Sequence, residues 1–431
     1  MGDESFNELI EQFLGRRLPR QMAASITLSG LPPDAHDFLR RMLTLMKRAG
    51  YSATEFTPYL IRWLSTTVPN ILPGAWGGRI PPLTLPGRHK KFDDYIEGRM
   101  GTLGTEPPVF MDLGCGFPPV TSADTARRFP DWQIYGVDRS FADFVLYDRK
   151  GHYACFGKQG EFLYFQAIMT SSGRTLYADP KATRERFIGL FETLHPLLEN
   201  AREDGHETVE KDGNRLIQNH IRDFETDNLT FVESDIENAR LPFARVIRCM
   251  NLFIYFGPEK QKALTSKIGT FLDDGGLMII GTNGLGVQSR YTVFRKDDDG
   301  ILPEEFAFSL DNLGHIVFMP WFTIHEEDPE ATQLADLVGV IRRDRSFWHD
   351  LSGRMDELLG NYNICWRGDD GFLHLPDEEV SPVELMEKNR AMWQQIETDG
   401  YGERAVDLLN RAGYAAWKNP AGDIAVQTFH I

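Results

Sequence analysis

Apolar positions follow two different periods along this chain, and the change between them divides it. Over residues 1–105 the spacing is helical. Phe6, Leu9, Ile10 and Phe13 make one stripe, and Phe38, Leu39, Met42, Leu43 and Met46 another that ends at Gly50, a C-terminal cap. A third helix is predicted over 55–65, and the Pro- and Gly-rich stretch 69–88 reads as a connector or a loop over the core. From residue 106 the pattern changes to short unbroken apolar runs. Val109 to Met111, Ile134 to Val137, Asn228 to Glu233, the run after Ala244 and the run after Leu277 read as buried strands, with helical stretches between them. Alternation of this kind predicts an α/β domain built on a parallel sheet.

The joints of that domain are uneven. The second and third strands stand about ninety residues apart, far more than one crossover helix needs, so the insertion (about 141–207) is expected to carry its own structure. Residues 151–165 read as a hairpin turning at Gly157 to Gly160, and Asp179-Pro180 starts a helix with Phe187, Leu190, Phe191, Leu194 and Leu198 on its apolar face. Residues 208–224 are predicted as the crossover helix into the third strand. Between Phe141 and Phe165 there are eight Phe or Tyr residues, most of them expected in hairpin and helix core, with one or two reaching a substrate. Farther on, 290–296 and 302–310 predict an antiparallel hairpin closing the sheet, with 316–324 competing for its last strand. Helices then lead to a terminal hairpin over 415–429 that turns at Pro420 to Asp423.

The candidate chemistry lies at the first strand. Asp112 precedes Gly114 and Gly116 with no third glycine, and Asp138 ends the second strand. Glycines allow the backbone to approach a ligand closely, and an acid at the second strand can accept hydrogen bonds from both hydroxyls of a ribose. A pyrophosphate-binding turn needs G-x-G-x-x-G, and Asp112 would repel phosphate. The combination suits a ligand with a cationic, phosphate-free end, such as S-adenosylmethionine (SAM).

Here the chain resembles the class I SAM-dependent methyltransferases. Asp112, Gly114 and Gly116 match the first motif of that family, with Pro118 at its third glycine; Pro118 and Pro119 are expected in the first turn of the following helix. Asp235 stands after the third strand and upstream of Leu241-Pro242-Phe243, the place of the family's adenine-binding acid. The run 244–256 is locally similar to the chemotaxis receptor glutamate methyltransferases through Cys249, Asn251, Ile254, Tyr255 and Phe256, and departs from them at Arg245 and Met250. Phe271 to Gly281 looks like the family's helix end, Gly-Gly turn and fifth strand. The resemblance implies a Rossmann-like, doubly wound, mostly parallel sheet over 106–310, with a helical N-terminal region over 1–105 and a C-terminal α+β extension over 311–431. It implies SAM as cofactor, held by Asp112, Leu113, Gly114, Cys115, Gly116, Asp138, Arg139, Asp235, Ile236 and Asn251. Asp112 would serve the methionine end, and Asn251, as the catalytic candidate, would lie nearest the reacting methyl group.

Composition narrows the acceptor only a little. The formal charge of −17 argues against electrostatic capture of nucleic acid, leaving a small molecule or a protein side chain. The four cysteines lack C-x-x-C spacing, so no metal site or disulfide framework is expected, and Cys115 and Cys249 read as packing residues. An acidic N-terminus and the absence of a long apolar run predict a cytoplasmic location. Oligomeric state is not encoded in any of these patterns. A carboxylate acceptor needs no general base, whereas a hydroxyl or phenol does; His152, in the insertion, is a base candidate by location alone, and Tyr255 is expected to pack. The alternative to an enzyme is a non-catalytic SAM- or nucleoside-binding regulatory module.

Overall fold

A computed structural model describes residues 5–23, 33–66, 84–103, 108–166, 179–202, 205–238, 240–284, 288–298, 300–314, 325, 327–376 and 380–428. Its centre is a nine-stranded sheet. Strands β1 (Val109–Leu113), β2 (Gln133–Asp138), β8 (Leu229–Glu233), β9 (Ala244–Met250) and β10 (Leu272–Asn283) run parallel in the spatial order β8-β2-β1-β9-β10. Antiparallel strands β11 (Ser289–Asp297), β12 (Gly300–Phe308), β16 (Ile424–Gln427) and β15 (Ala416–Lys418) follow on the β10 side. Each reversal flips the direction, so β12 and β15 rejoin the first five strands and seven of the nine point the same way. The hairpin 290–296/302–310 is therefore β11–β12, and the terminal hairpin extends this same sheet. The competing 316–324 segment lies outside the described residues.

Both faces of the parallel strands are buried, as their apolar sequences require. Phe110, Val246, Leu277 and Ile279 face the helices Lys90–Arg99 and Val120–Arg128, while Met111, Leu113, Ile247, Cys249, Met278 and Ile280 face the helix Pro258–Gly269. Strand alternation thereby sends Asp112 and Arg248 to the first face, together.

The insertion is a separate five-stranded antiparallel sheet. It contains β3 (Phe144–Tyr147), β4 (Tyr153–Phe156), β5 (Phe162–Gln166), β6 (Thr208–Lys211) and β7 (Asn214–Gln218), in the order β5-β4-β3-β7-β6. Helix Pro180–Arg202 covers one face through Phe187, Phe191, Leu194 and Leu198, against Phe144, Leu146, Phe156 and Phe165. The predicted crossover helix over 208–224 is absent. Asp212 and Gly213 both take positive φ (55° and 73°), the turn that favours a two-residue hairpin, so residues 208–218 pair as β6–β7 and only a short helical turn, His220–Phe224, precedes β8.

The terminal regions, read above as separate units, share one core. Helices Phe6–Leu14, Pro33–Arg48 and Pro58–Thr66 bury Phe38, Met42 and Leu60 with Leu334, Leu351, Ile396 and Leu409 from the C-terminal helices. Arg342 fastens the two regions. Its guanidinium donates to both Glu55 oxygens (2.6 and 2.8 Å) and lies over the rings of Tyr51 and Trp348. No helix among the described residues is long and apolar enough to cross a membrane.

Candidate functional site

The carboxyl ends of β8, β2, β1 and β9 meet along one edge of the sheet, the place where open α/β sheets bind ligands. After Leu113 the chain turns through Gly114 (φ 73°) and Gly116 (φ 65°), conformations that strain any side-chain-bearing residue. The turn is tied to β2 at three points. Gly114 and Cys115 donate N–H bonds to the Val137 carbonyl (2.8 and 3.2 Å), and Gly116 donates to Asp138 Oδ2 (2.8 Å). The Cys115 side chain is buried beneath Gly136, where a Cβ would come 3.3 Å from its sulfur and 2.6 Å from the Phe231 ring, so the thiol is a packing group. The helix begins at Val120 with Pro119 as its preceding residue; both prolines stand ahead of the first turn and not within it.

Asp138 is half-buried. Burial raises its pKa, opposed by N–H groups of Gly116, Ser140 and Arg139. Arg139 itself is exposed. Beyond β2, Asp235 is exposed in a turn closed by Asn238 N–H on its carbonyl (3.0 Å) and Glu237 N–H on its Oδ1 (3.0 Å), with Ile236 half-buried beside it. The β2–β8 register sets Asp138 opposite Glu233, two residues before Asp235.

Asp112 does different work. It is 2% exposed, and its oxygens accept from Arg248 Nε (3.0 Å), Arg248 Nη2 (2.8 Å) and Ser122 Oγ (2.6 Å). Arg248 Nη1 donates to Asp93 Oδ1 (2.8 Å), which also accepts from Thr125 Oγ1 (3.0 Å). Burial pulls the Arg248 pKa down, but the charges and hydrogen bonds of Asp112 and Asp93 outweigh it. Burial dominates at Asp93, whose pKa is pushed up to about 6 in spite of Arg248. The Asp112 carboxylate is thus engaged within the protein, on Arg248 and Ser122. Arg248 and Asp93 were not among the expected site residues, although an arginine inside the apolar strand Ala244–Met250 is a visible signal: such a charge enters a core only when paired.

At the β9 tip, Asn251 has a left-handed backbone (φ 60°), its N–H donates to the Gly281 carbonyl (2.8 Å), and its Oδ1 accepts from Asn283 N–H (2.9 Å). Asn283 in turn accepts from Arg88, at its carbonyl and at Oδ1 (3.3 Å). Arg88 is the last residue of the stretch read as a connector, and its contact with Asn283 was not apparent in the sequence. Burial raises the Tyr255 phenol above its usual range, with Arg88 opposing, so it is no proton acceptor. His152 is buried in the β3–β4 turn, where its backbone N–H donates to Asp148 Oδ1 (3.0 Å).

The insertion meets the glycine turn through aromatic residues. Tyr153 donates to the Phe117 carbonyl (3.3 Å), and the Phe117 ring packs on Tyr153, His220 and Phe224. Most of the eight insertion aromatics are thus packing residues: Phe144, Phe156 and Phe165 in its own core, Tyr147 and Tyr153 against the turn side.

No known protein-family profile matches the chain, and no curated protein does. Several solved structures share a weak likeness. The plantazolicin methyltransferase BpumL, solved with S-adenosylhomocysteine (SAH), is 12% identical over 45% of this chain and 48% of its own, with a TM-score of 0.22. The alignment therefore spans about half of that enzyme. A SAM-dependent methyltransferase from Clostridium acetobutylicum is 13% identical over 51% of this chain and 66% of its own (TM-score 0.22). A putative one from Methanococcus maripaludis is 11% identical over 79% and 87% (TM-score 0.23). With scores this low, the functional case rests on the strand-tip geometry of the chain itself.

Proposed function

We propose that the chain is a SAM-dependent methyltransferase of the Rossmann-like class, acting on a small molecule or a protein side chain. The observation that carries this is the glycine turn latched to the β2 acid: two left-handed glycines after β1, hydrogen-bonded to Val137 and Asp138, with the exposed Asp235 one strand farther along. The residues fit the cofactor. Gly114 has φ 73° and a Cβ there would meet Leu252 only at ordinary contact distance (3.5 Å), so the glycine serves the backbone conformation that turns the chain across the strand tip, where a ligand would approach. Asp138 would take the ribose hydroxyls, Asp235 the adenine amino group, and the Gly114–Gly116 segment the methionine end. When bound, the cofactor supplies an electrophilic methyl group on a sulfonium.

The chain's part is then placement and exclusion of water. Asp112, clamped by Arg248, holds the turn rigid; Asn251, joined to Asn283 and Arg88, shapes the edge beside the reacting end. A small acceptor is favoured because the aromatic insertion closes against the turn and the chain is strongly acidic. Calorimetric titration of the full chain with SAH should show saturable binding that Asp138→Ala weakens by about 100-fold. A folded protein that takes up no SAH would overturn the assignment.

A further inference from the structure

Burial normally commits a histidine to a hydrogen bond on at least one ring nitrogen. His89 departs from this: only 8% of it is exposed, yet among the described residues neither Nδ1 nor Nε2 has a hydrogen-bond partner. Leaving a polar group buried without a partner is costly, so a purely structural role would be better served by an apolar side chain.

Its position gives that cost a purpose. His89 immediately precedes the helix Lys90–Arg99 and lies one turn from Asp93 on the same face, with the Asp93 N–H donating to its carbonyl (3.2 Å). Asp93 is tied to Arg248 and so to the β1 tip. On the other side, Arg88 is tied to Asn283 and so to Asn251 at the β9 tip. The imidazole is therefore bracketed by the turn that would hold the methionine end and the asparagine that would flank the reacting methyl. Phe92 packs edge-on at 5.7 Å between ring centroids, and Arg248 and Arg88 are the charged groups that act on the ring. Burial first, then the charges of Arg248 and Arg88, hold the ring well below the ordinary imidazole range, so it stays neutral and keeps a free lone pair.

Building on the methyltransferase reading, we propose that His89 receives the acceptor's proton, and that the acceptor is accordingly a hydroxyl, phenol or amine, not a carboxylate. In the transfer, the acceptor's lone pair forms a bond to the methyl carbon while the carbon–sulfur bond breaks with its electron pair left on sulfur. The proton passes from the acceptor to an imidazole nitrogen and leaves to water once product departs.

The test uses the full chain. Imidazole nitrogen NMR, with His89→Gln identifying the signal, should find a ring that is neutral from about pH 6 to 8 and shifts when SAH saturates the site. Methyl-labelled SAM incubated with a protein-free small-molecule extract of the source cells should give label stable to mild alkali, as an ether or N-methyl group is and a methyl ester is not. That transfer should fall by about 100-fold in His89→Gln while SAH affinity holds within about threefold. If His89→Gln does not fold, His89→Asn serves for both measurements. A His89 ring unmoved by bound SAH overturns the proposal, as does alkali-labile label or transfer undiminished in the variant. A folded wild-type chain that fails to bind SAH removes instead the methyltransferase reading beneath it.

Discussion

Asp112 and Asp138 are the same residue at the ends of adjacent parallel strands, and both look like ligand-binding acids in the sequence. The fold separates their work. Asp112 is sealed against Arg248 and Ser122, whereas Asp138 remains half-buried at the edge, held by backbone N–H groups of the turn it faces. The contrast predicts that Asp112 acts by fixing the shape of the motif and Asp138 by touching the ligand. What decides between the two roles is the neighbouring strand: β9 supplies a fully buried guanidinium opposite β1, and β8 supplies nothing comparable opposite β2.

The largest test of this contrast removes the cation. Arg248→Met should destabilise the protein by about 3–5 kcal/mol in chemical denaturation, because two buried carboxylates lose their partner at once. Asp112→Asn should cost less, about 2–3 kcal/mol, since Arg248 keeps Asp93. If Asp112 works only through the turn, that variant should also keep SAH affinity within about fivefold, read by calorimetry. Asp138→Ala should reverse the profile, weakening SAH binding by about 100-fold while costing about 1 kcal/mol or less in stability. An Asp112 variant that loses ligand while Asp138 loses stability would break the comparison.

These expectations depend on how much the sequence disclosed. The parallel strands were legible because fully buried strands are written as unbroken apolar runs; Asp112, Gly114, Gly116 and Asp138 were legible because turn chemistry is local. The β6–β7 hairpin was hidden for a different reason: Val209, Leu216 and Ile217 fit a helical or a strand reading, and the deciding signal was the single pair Asp212-Gly213. The union of the terminal helices in one core was not legible at all, since it arises from contacts such as Glu55 with Arg342 across almost the whole chain. His89 escaped for the same reason. It matters through what its neighbours grip, namely Asn283 and Arg248, and nothing in the local run Gly87 to Lys91 announces either.

The smallest effect concerns how one guanidinium divides itself between two acids. Asp93 has a folded-state pKa raised to about 6 by burial, against an unfolded value of about 3.9. Between those values the native state binds more protons, so this group's contribution to stability is complete below about pH 4 and is lost as pH rises through about 6. Asp93→Asn removes the titration. Measured by chemical denaturation, the variant should gain on the wild type by about 1–2 kcal/mol between about pH 4.5 and 7.5. A gap that stays flat would mean that Arg248 keeps Asp93 ionised throughout. The guanidinium would then serve both acids equally, and Asp112 would owe its burial to the three-residue cluster as a whole instead of to a privileged pair with Arg248.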